Sequence, residues 1–183
     1  MPLSIRTWIA VVALLGSTGV FGEDIVTPEA VMLRTALVVN DIRESTHFYT
    51  YALGYEILFD GDITKPAVLE QLQLQDRQTA HFVVLRGAKS IDGKELHGAM
   101  IGLLYVDNPP LPAIERPAGA TMTTGEGMLA IVTSDIQLIY KRMLELDANV
   151  LLPPTKYGNG RESEMVVHDP NGIRIHVVQR HSE

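Results

Sequence analysis

The sequence predicts an α+β protein made of two tandem βαβββ modules that form a shared cleft. Two runs, TALVVNDI at 35–42 and LAIVTSDI at 129–136, are both rich in β-forming residues and end in Asp-Ile. Each is followed, in the same order, by a helical pattern and three further strands, as expected for duplicated modules. A proline-rich segment separates the two halves. Chance likeness between two generic strand-helix units could explain the shared Asp-Ile alone, but it explains five matching elements in one order less well than duplication does.

The N-terminal segment is predicted to be a cleaved secretory signal. Arg6 precedes the uncharged run WIAVVALLGSTGVF, which is short for a membrane span and typical of a secretory signal. We expect cleavage after Gly22, so residues 1–22 form the signal peptide and the mature protein is periplasmic or secreted. An uncleaved anchor or a buried core helix is the alternative, but Gly and Ser-Thr within the run weaken a helix there.

Composition restricts the partners and the chemistry. The chain of 183 residues has a formal net charge of −7, which argues against a nucleic-acid partner. It contains no cysteine, so disulfides and thiolate metal sites are excluded. A chain of this length can bury a full core without such cross-links.

The first module is predicted over residues 31–106. Its opening strand leads to Asp41, which can cap a helix that contains Phe48 and Tyr49 and ends at Gly54. Three strands complete the module: EILFD at 56–60, AHFVVLRG at 80–87 and AMIGLLYV at 99–106.

The second module is predicted over residues 127–180, after a linker at 107–126. Asp135 caps its helix, which ends near Asp147-Ala148-Asn149. The strands that follow are NVLLP at 149–153, EMVVHD at 164–169 and IRIHVVQ at 173–179. The stretch at 153–163 is either a mobile flap, with Tyr157 and Arg161 closing over a ligand, or a long hairpin connection.

Two segments resemble the vicinal oxygen chelate superfamily, which includes glyoxalase I, bleomycin-resistance and fosfomycin-resistance proteins and extradiol dioxygenases. They are LVVNDIRESTHFYTYALGYEI at 37–57 and DPNGIRIHVVQ at 169–179. The resemblance implies a glyoxalase/bleomycin-resistance-like fold and a homodimer. It says little about the reaction, because the scaffold hosts many chemistries. The Asp-Pro-Asn-Gly turn itself is expected to serve chain reversal, not catalysis.

The resemblance also implies where a metal would bind, on the first and last strands of each module. Those positions correspond here to Arg34, Gly102, Met128 and His176, and one repeat offset relates Arg34 to Met128. A catalytic divalent metal needs three or four His or carboxylate ligands. Only His176 qualifies. The guanidinium of Arg34 repels metal ions, Gly102 has no side chain, and the thioether of Met128 suits soft copper. We therefore expect no metal and no cofactor. A site built from His81, His168 and His176 would require their faces to converge.

Strand alternation around these positions predicts an apolar cleft with cationic groups. Its predicted ligand-binding residues are Arg34, Gly102, Leu104, Met128, Ala130, Arg174 and His176. Such a cleft suits an apolar molecule with an anionic group, held without metal, although an internal salt bridge to Arg34 is an equally good interpretation. The alternative is a glyoxalase- or dioxygenase-type metal enzyme with displaced ligands. A third possibility is metal-free catalysis with His176 as general base.

Overall fold

The computed structural model describes residues 32–91, 93–95, 100–114, 122 and 124–181. The predicted signal peptide lies outside these residues. No helix within the described part of the chain is long and apolar enough to cross a membrane.

The first module folds around a four-stranded mixed sheet, here called sheet 1. Its strands are ordered β1–β6–β3–β2, with β1 parallel to β6 and the other neighbours antiparallel. The elements in chain order are β1 (Arg34–Val38), α1 (Ile42–His47), a π-helical continuation (Phe48–Ala52), β2 (Glu56–Ile63), α2 (Pro66–Gln71), β3 (Thr79–Arg86), β4 (Ser90–Ile91), β5 (Lys94–Glu95) and β6 (Met100–Asp107). The short strands β4 and β5 pair with each other.

The second module repeats this arrangement in sheet 2, ordered β7–β10–β9–β8 with β7 parallel to β10. Its elements are β7 (Met128–Val132), α3 (Ile136–Glu145), β8 (Val150–Tyr157), a 3-10 turn (Gly158–Gly160), β9 (Glu162–His168) and β10 (Arg174–Arg180). The tandem βαβββ fold predicted from the repeat is confirmed.

The helices begin and end for local reasons that the sequence predicts. The Asp41 carboxylate accepts hydrogen bonds from the backbone N–H groups of Arg43 and Glu44, at 2.8 and 2.9 Å, and so caps α1. Asp135 caps α3 through the N–H of Leu138 at 2.9 Å. Gly54 has φ +73°, a left-handed conformation that ends the first helical segment at low cost.

Both modules contribute to one apolar core that lies between the two sheets. The helices supply Phe48, Tyr49, Ile139 and Met143, and the sheets supply alternate strand residues. These include Leu37, Val83, Leu103, Met165, Ile175 and Val177. Since the helices pack on one face of each sheet and on each other, the other face of each sheet points away from them. We call these outward faces the open faces.

The Asp-Pro-Asn-Gly turn holds the two modules together. The Tyr49 hydroxyl donates a hydrogen bond to Asp169 at 3.0 Å, and both side chains are buried. The side-chain amide of Asn171 donates to Ser45 at 3.0 Å and its oxygen accepts from the backbone N–H of Asn40 at 2.7 Å. Burial raises the pKa of Asp169, while its hydrogen bonds act in the opposite direction. The turn therefore docks module 2 on module 1 as well as reversing the chain.

Residues 153–163 form a hairpin connection. Strand β8 extends to Tyr157 and pairs with β9 as far as Tyr157 opposite Glu162. Of the two interpretations of this stretch, the structure supports the hairpin.

Candidate functional site

The structure places the seven predicted site residues on the open faces, on the alternate strand positions that were expected to share a face. Ala36 lies opposite Gly102 between β1 and β6, and Ala130 lies opposite His176 between β7 and β10. Three of the seven belong to sheet 1 (Arg34, Gly102, Leu104) and four to sheet 2 (Met128, Ala130, Arg174, His176). No described strand of one sheet hydrogen-bonds to a strand of the other. Within one chain, the predicted residues therefore form two separate groups.

A cavity of about 550 Å³ opens over sheet 1. Its floor includes Ala36 and Leu104, and Phe59 and Phe82 project from β2 and β3. The structure brings Arg34 and Leu104 together here with Lys65, a cation that the sequence analysis did not single out.

Helix α2, which the sequence analysis did not predict, forms one wall of this cavity. Pro66 occupies its first turn, where the missing N–H costs little. Leu69 and Leu72 pack against the buried side chains of Leu104 and Val106 on the open face of sheet 1. The helix thereby covers one end of this face and leaves a pocket beside it, with Val68, Gln71 and Leu72 in the lining.

Phe82 occupies the space above Gly102. A Cβ at residue 102 would lie 2.5 Å from Cζ of Phe82, far inside van der Waals contact. The guanidinium of Arg34 lies 5.2 Å from the centroid of the same ring, in a cation–π contact. The lack of a side chain at residue 102 thus leaves room for the ring of Phe82, which in turn contacts Arg34.

The open face of sheet 2 carries a different arrangement. His176 Nε2 lies 3.0 Å from Oε2 of Glu164 on β9, and both side chains are about three-quarters buried, at 27% and 26% exposure. Glu164 lies opposite Val178, as Phe82 lies opposite Leu104 in sheet 1. A His–Glu pair in module 2 therefore takes the place of the Phe82–Gly102 contact in module 1. Met128 is 49% exposed beside it.

Comparison with known families agrees with this architecture. The family model described as Glyoxalase/Bleomycin resistance protein/Dioxygenase superfamily matches residues 31–177. The chain belongs to this superfamily. The match begins before β1 and ends within β10, so it spans sheet 1, the linker and most of sheet 2. No curated protein compared with the sequence matches it significantly.

Solved structures of the superfamily share the fold at low sequence identity. A glyoxalase family protein from Bacillus cereus has a TM-score of 0.68 at 17% identity, over 85% of this chain and 99% of that one. A glyoxylase/bleomycin resistance protein/dioxygenase domain from Frankia has a TM-score of 0.54 at 17% identity, over 85% and 95%. Glyoxalase I from Zea mays has a TM-score of 0.55 at 18% identity, over 82% of this chain but 45% of that one. These likenesses show the fold alone.

The residues present do not fit the metal centre that the superfamily's enzymes imply. The four strand positions carry Arg34, Gly102, Met128 and His176, and the ring of Phe82 fills the space at residue 102. In the described part of the chain, no three His, Asp or Glu side chains gather as a metal site would require. A catalytic divalent ion needs at least three such donors.

The other histidines that were considered as ligands are engaged elsewhere. His81 lies on sheet 1, whereas His168 and His176 lie on sheet 2, so the convergence that a three-histidine site would require is not found among the described residues. His168 Nδ1 is 3.2 Å from the side-chain amide of Asn149. His181 Nε2 is 2.8 Å from the Ser163 hydroxyl. His47 stacks on Tyr51, and His97 lies outside the described residues.

Proposed function

We propose that the protein binds a small apolar molecule with an anionic group, without metal, in the cavity over sheet 1. The proposal rests on the surroundings of the Arg34 guanidinium. This group lies over the ring of Phe82 in a mainly apolar cavity, and it forms no ion pair with a described carboxylate. A cation held in this way can pair with a ligand carboxylate or phosphate. Lys65 adds a second positive charge to the same lining, so the two cations outnumber the one carboxylate there, that of Asp62.

We further propose that two chains combine to complete the cleft. Strands β1 and β7 are edge strands of their sheets, and they expose aliphatic side chains: Val38 is 53% exposed and Val132 is 41% exposed. An exposed apolar edge is a site for pairing with another strand. Pairing β1 of one chain with β7 of a second would place the open faces side by side. Arg34 and His176 would then line one cleft in a homodimer.

Export is the remaining element of the proposal. The signal-like segment at 1–22 supports a periplasmic or secreted protein. Cell fractionation followed by N-terminal sequencing tests this, and an unprocessed Met1 in the cytoplasmic fraction would contradict it.

Binding of octanoate, with octanamide as a neutral probe of the same length, tests the central proposal. We expect octanoate to bind more tightly, because Arg34 contributes a charge-assisted hydrogen bond. Arg34→Ala should weaken octanoate binding about tenfold or more, consistent with a loss of about 1.5–3 kcal/mol. Lys89→Ala is the matched control, since Lys89 is exposed and lies outside the cavity lining.

Two results would contradict the proposal. The first is equal affinity for octanoate and octanamide, which would remove the role of charge. The second is stoichiometric metal in the purified protein together with a rise in melting temperature on adding divalent ions, because only ions that bind the native state stabilise it. That second result would favour a metal-dependent enzyme.

A further inference from the structure

Two phenylalanine rings line the cavity over sheet 1, and each lies against a glycine. A Cβ at Gly102 would be 2.5 Å from Cζ of Phe82, and a Cβ at Gly61 would be 3.2 Å from Cζ of Phe59. The two glycines lie on β6 and β2, the strands on either side of β3, which carries Phe82. The missing side chains thus make room for two aromatic rings on one open face.

The two rings lie apart from each other. Phe59 is opposite Val84 in the register of β2 and β3, so Phe59 and Phe82 are diagonal neighbours, with Cα atoms roughly 7–8 Å apart. Their far ends lie against glycines of different strands, and no ring contact joins them in the described part of the chain. A ligand that contacts both rings must therefore extend from one to the other, which favours fused rings over a single ring.

Phe59 is the better placed of the two to contact the aromatic ring of a ligand. It is 49% exposed although it lines a cavity, and no described ring or cation lies over it. Phe82 is partly buried, packs against the cluster that contains Leu104, and already contacts the Arg34 guanidinium. An aromatic molecule lying over Phe59 would therefore bury apolar surface that is now exposed to water.

Cationic side chains approach these rings from two sides of the cavity. Arg34 extends from the edge strand β1, across β6, to the ring of Phe82. Lys65 follows β2 and directly precedes α2. Asp62 brings a carboxylate to the lining, but its Oδ1 is paired with Nδ1 of His81 at 2.7 Å. The charges around the rings are thus complementary to an acid group on the ligand.

We propose that the cavity over sheet 1 selects a planar aromatic carboxylate with two fused rings. This inference rests on the proposed function and names the class of its ligand. The ring system lies against Phe59 and extends to Phe82, and the carboxylate pairs with Arg34. Val68 and Leu72 of α2 enclose the apolar part. The cavity volume of about 550 Å³ is in the range of small-molecule sites.

The experiment compares 2-naphthoate with trans-decahydronaphthalene-2-carboxylate by calorimetric titration of the full chain. The two acids share charge and carbon skeleton, but only 2-naphthoate is planar and aromatic. We expect 2-naphthoate to bind more tightly. The ratio of the two affinities should fall about two- to tenfold in Phe59→Leu, the contribution of one aromatic pair beyond its buried area. Octanoate affinity should change little in this variant, because leucine preserves most of the apolar surface.

Tyr157→Leu is the matched control. Tyr157 is 43% exposed, much like Phe59, but it lies on β8, outside the cavity lining, so its replacement should leave the ratio unchanged. Urea unfolding checks that both variants fold. As a second readout, protons of bound 2-naphthoate should show upfield ring-current shifts in NMR spectra, and these shifts should decrease in Phe59→Leu.

Three results would overturn the inference: wild-type affinity for the saturated acid that equals or exceeds that for 2-naphthoate, a ratio that Phe59→Leu leaves unchanged, or an equal fall in both variants. Binding of octanoate without binding of 2-naphthoate would overturn it too. In each case a preference for octanoate over octanamide would still support the proposed function. If that preference is absent and neither ring acid binds, the proposed function and this inference fail together.

Discussion

Replacing Gly102 by alanine tests how the floor of the sheet 1 cavity is built. The new Cβ would lie 2.5 Å from Cζ and 2.9 Å from Cε2 of Phe82, whereas carbon atoms in favourable contact are about 3.5–4.0 Å apart. The ring must therefore move by about 1 Å or more. That movement also disturbs the contact between Phe82 and Arg34.

We expect Gly102→Ala to lower the free energy of unfolding by about 1–3 kcal/mol, the usual cost of overpacking. For a chain of this size the melting temperature should fall by about 2–12 °C. Urea unfolding and calorimetry measure both quantities. Octanoate affinity should fall as well, because Arg34 loses its support.

Gly127→Ala is the matched control, since a Cβ there meets no atom within 4 Å. A double-mutant cycle isolates the clash: in a Phe82→Ala background, Gly102→Ala should cost no more than Gly127→Ala does. If Gly102→Ala proves as stable as the control in the wild-type background, the ring does not occupy this space and our account of the cavity floor fails.

Two further predictions concern stability. Tyr49→Phe removes a hydrogen bond to buried Asp169 and should lower the free energy of unfolding in urea by about 1.5–3 kcal/mol. Tyr55→Phe, which removes a hydroxyl with no described hydrogen bond, should lower it clearly less, and equal losses would refute the docking role of the turn. The pKa of His81 is raised above 6.5, chiefly by Asp62, so its stabilising effect is complete below about pH 6.5 and declines as pH rises through the raised value. His81→Gln should flatten that decline in urea midpoints measured from pH 5.5 to 9, and an unchanged slope would contradict it.

Much of the fold could be predicted because burial imposes a periodic pattern. The residues that face the helices, such as Leu37, Ile175 and Val177, alternate with the open-face residues, and the structure buries them as expected. The caps at Asp41 and Asp135 follow from local chemistry. Helix α2 was not predicted, because it is only six residues long and contains too few apolar residues to show a helical hydrophobic period.

The placement of the candidate residues, though not their role, was predicted in part. Strand register placed Arg34 and Gly102 on one open face, because alternation along a strand is a local property. The contacts of Phe82 with Gly102 and of Glu164 with His176 join neighbouring strands. They depend on strand pairing, which alternation within one strand does not specify. Alternation on β3 could have placed Phe82 on the open face, and the glycine on the neighbouring strand was the available signal of room for a large ring there. The role of the Asp-Pro-Asn-Gly turn depends on tertiary packing that the turn sequence does not contain.

The two modules differ most where folding constrains them least. A substitution that removes buried apolar area from a helix-facing side chain lowers stability. Both modules therefore present similar apolar residues to the shared core. The open faces carry no such requirement, and there the equivalent positions hold Phe82 with Gly102 in one module and Glu164 with His176 in the other. In the proposed homodimer each cleft would combine one face of each kind. An apolar wall with a guanidinium would then oppose an imidazole–carboxylate pair, so neither module alone would be expected to show the full ligand specificity.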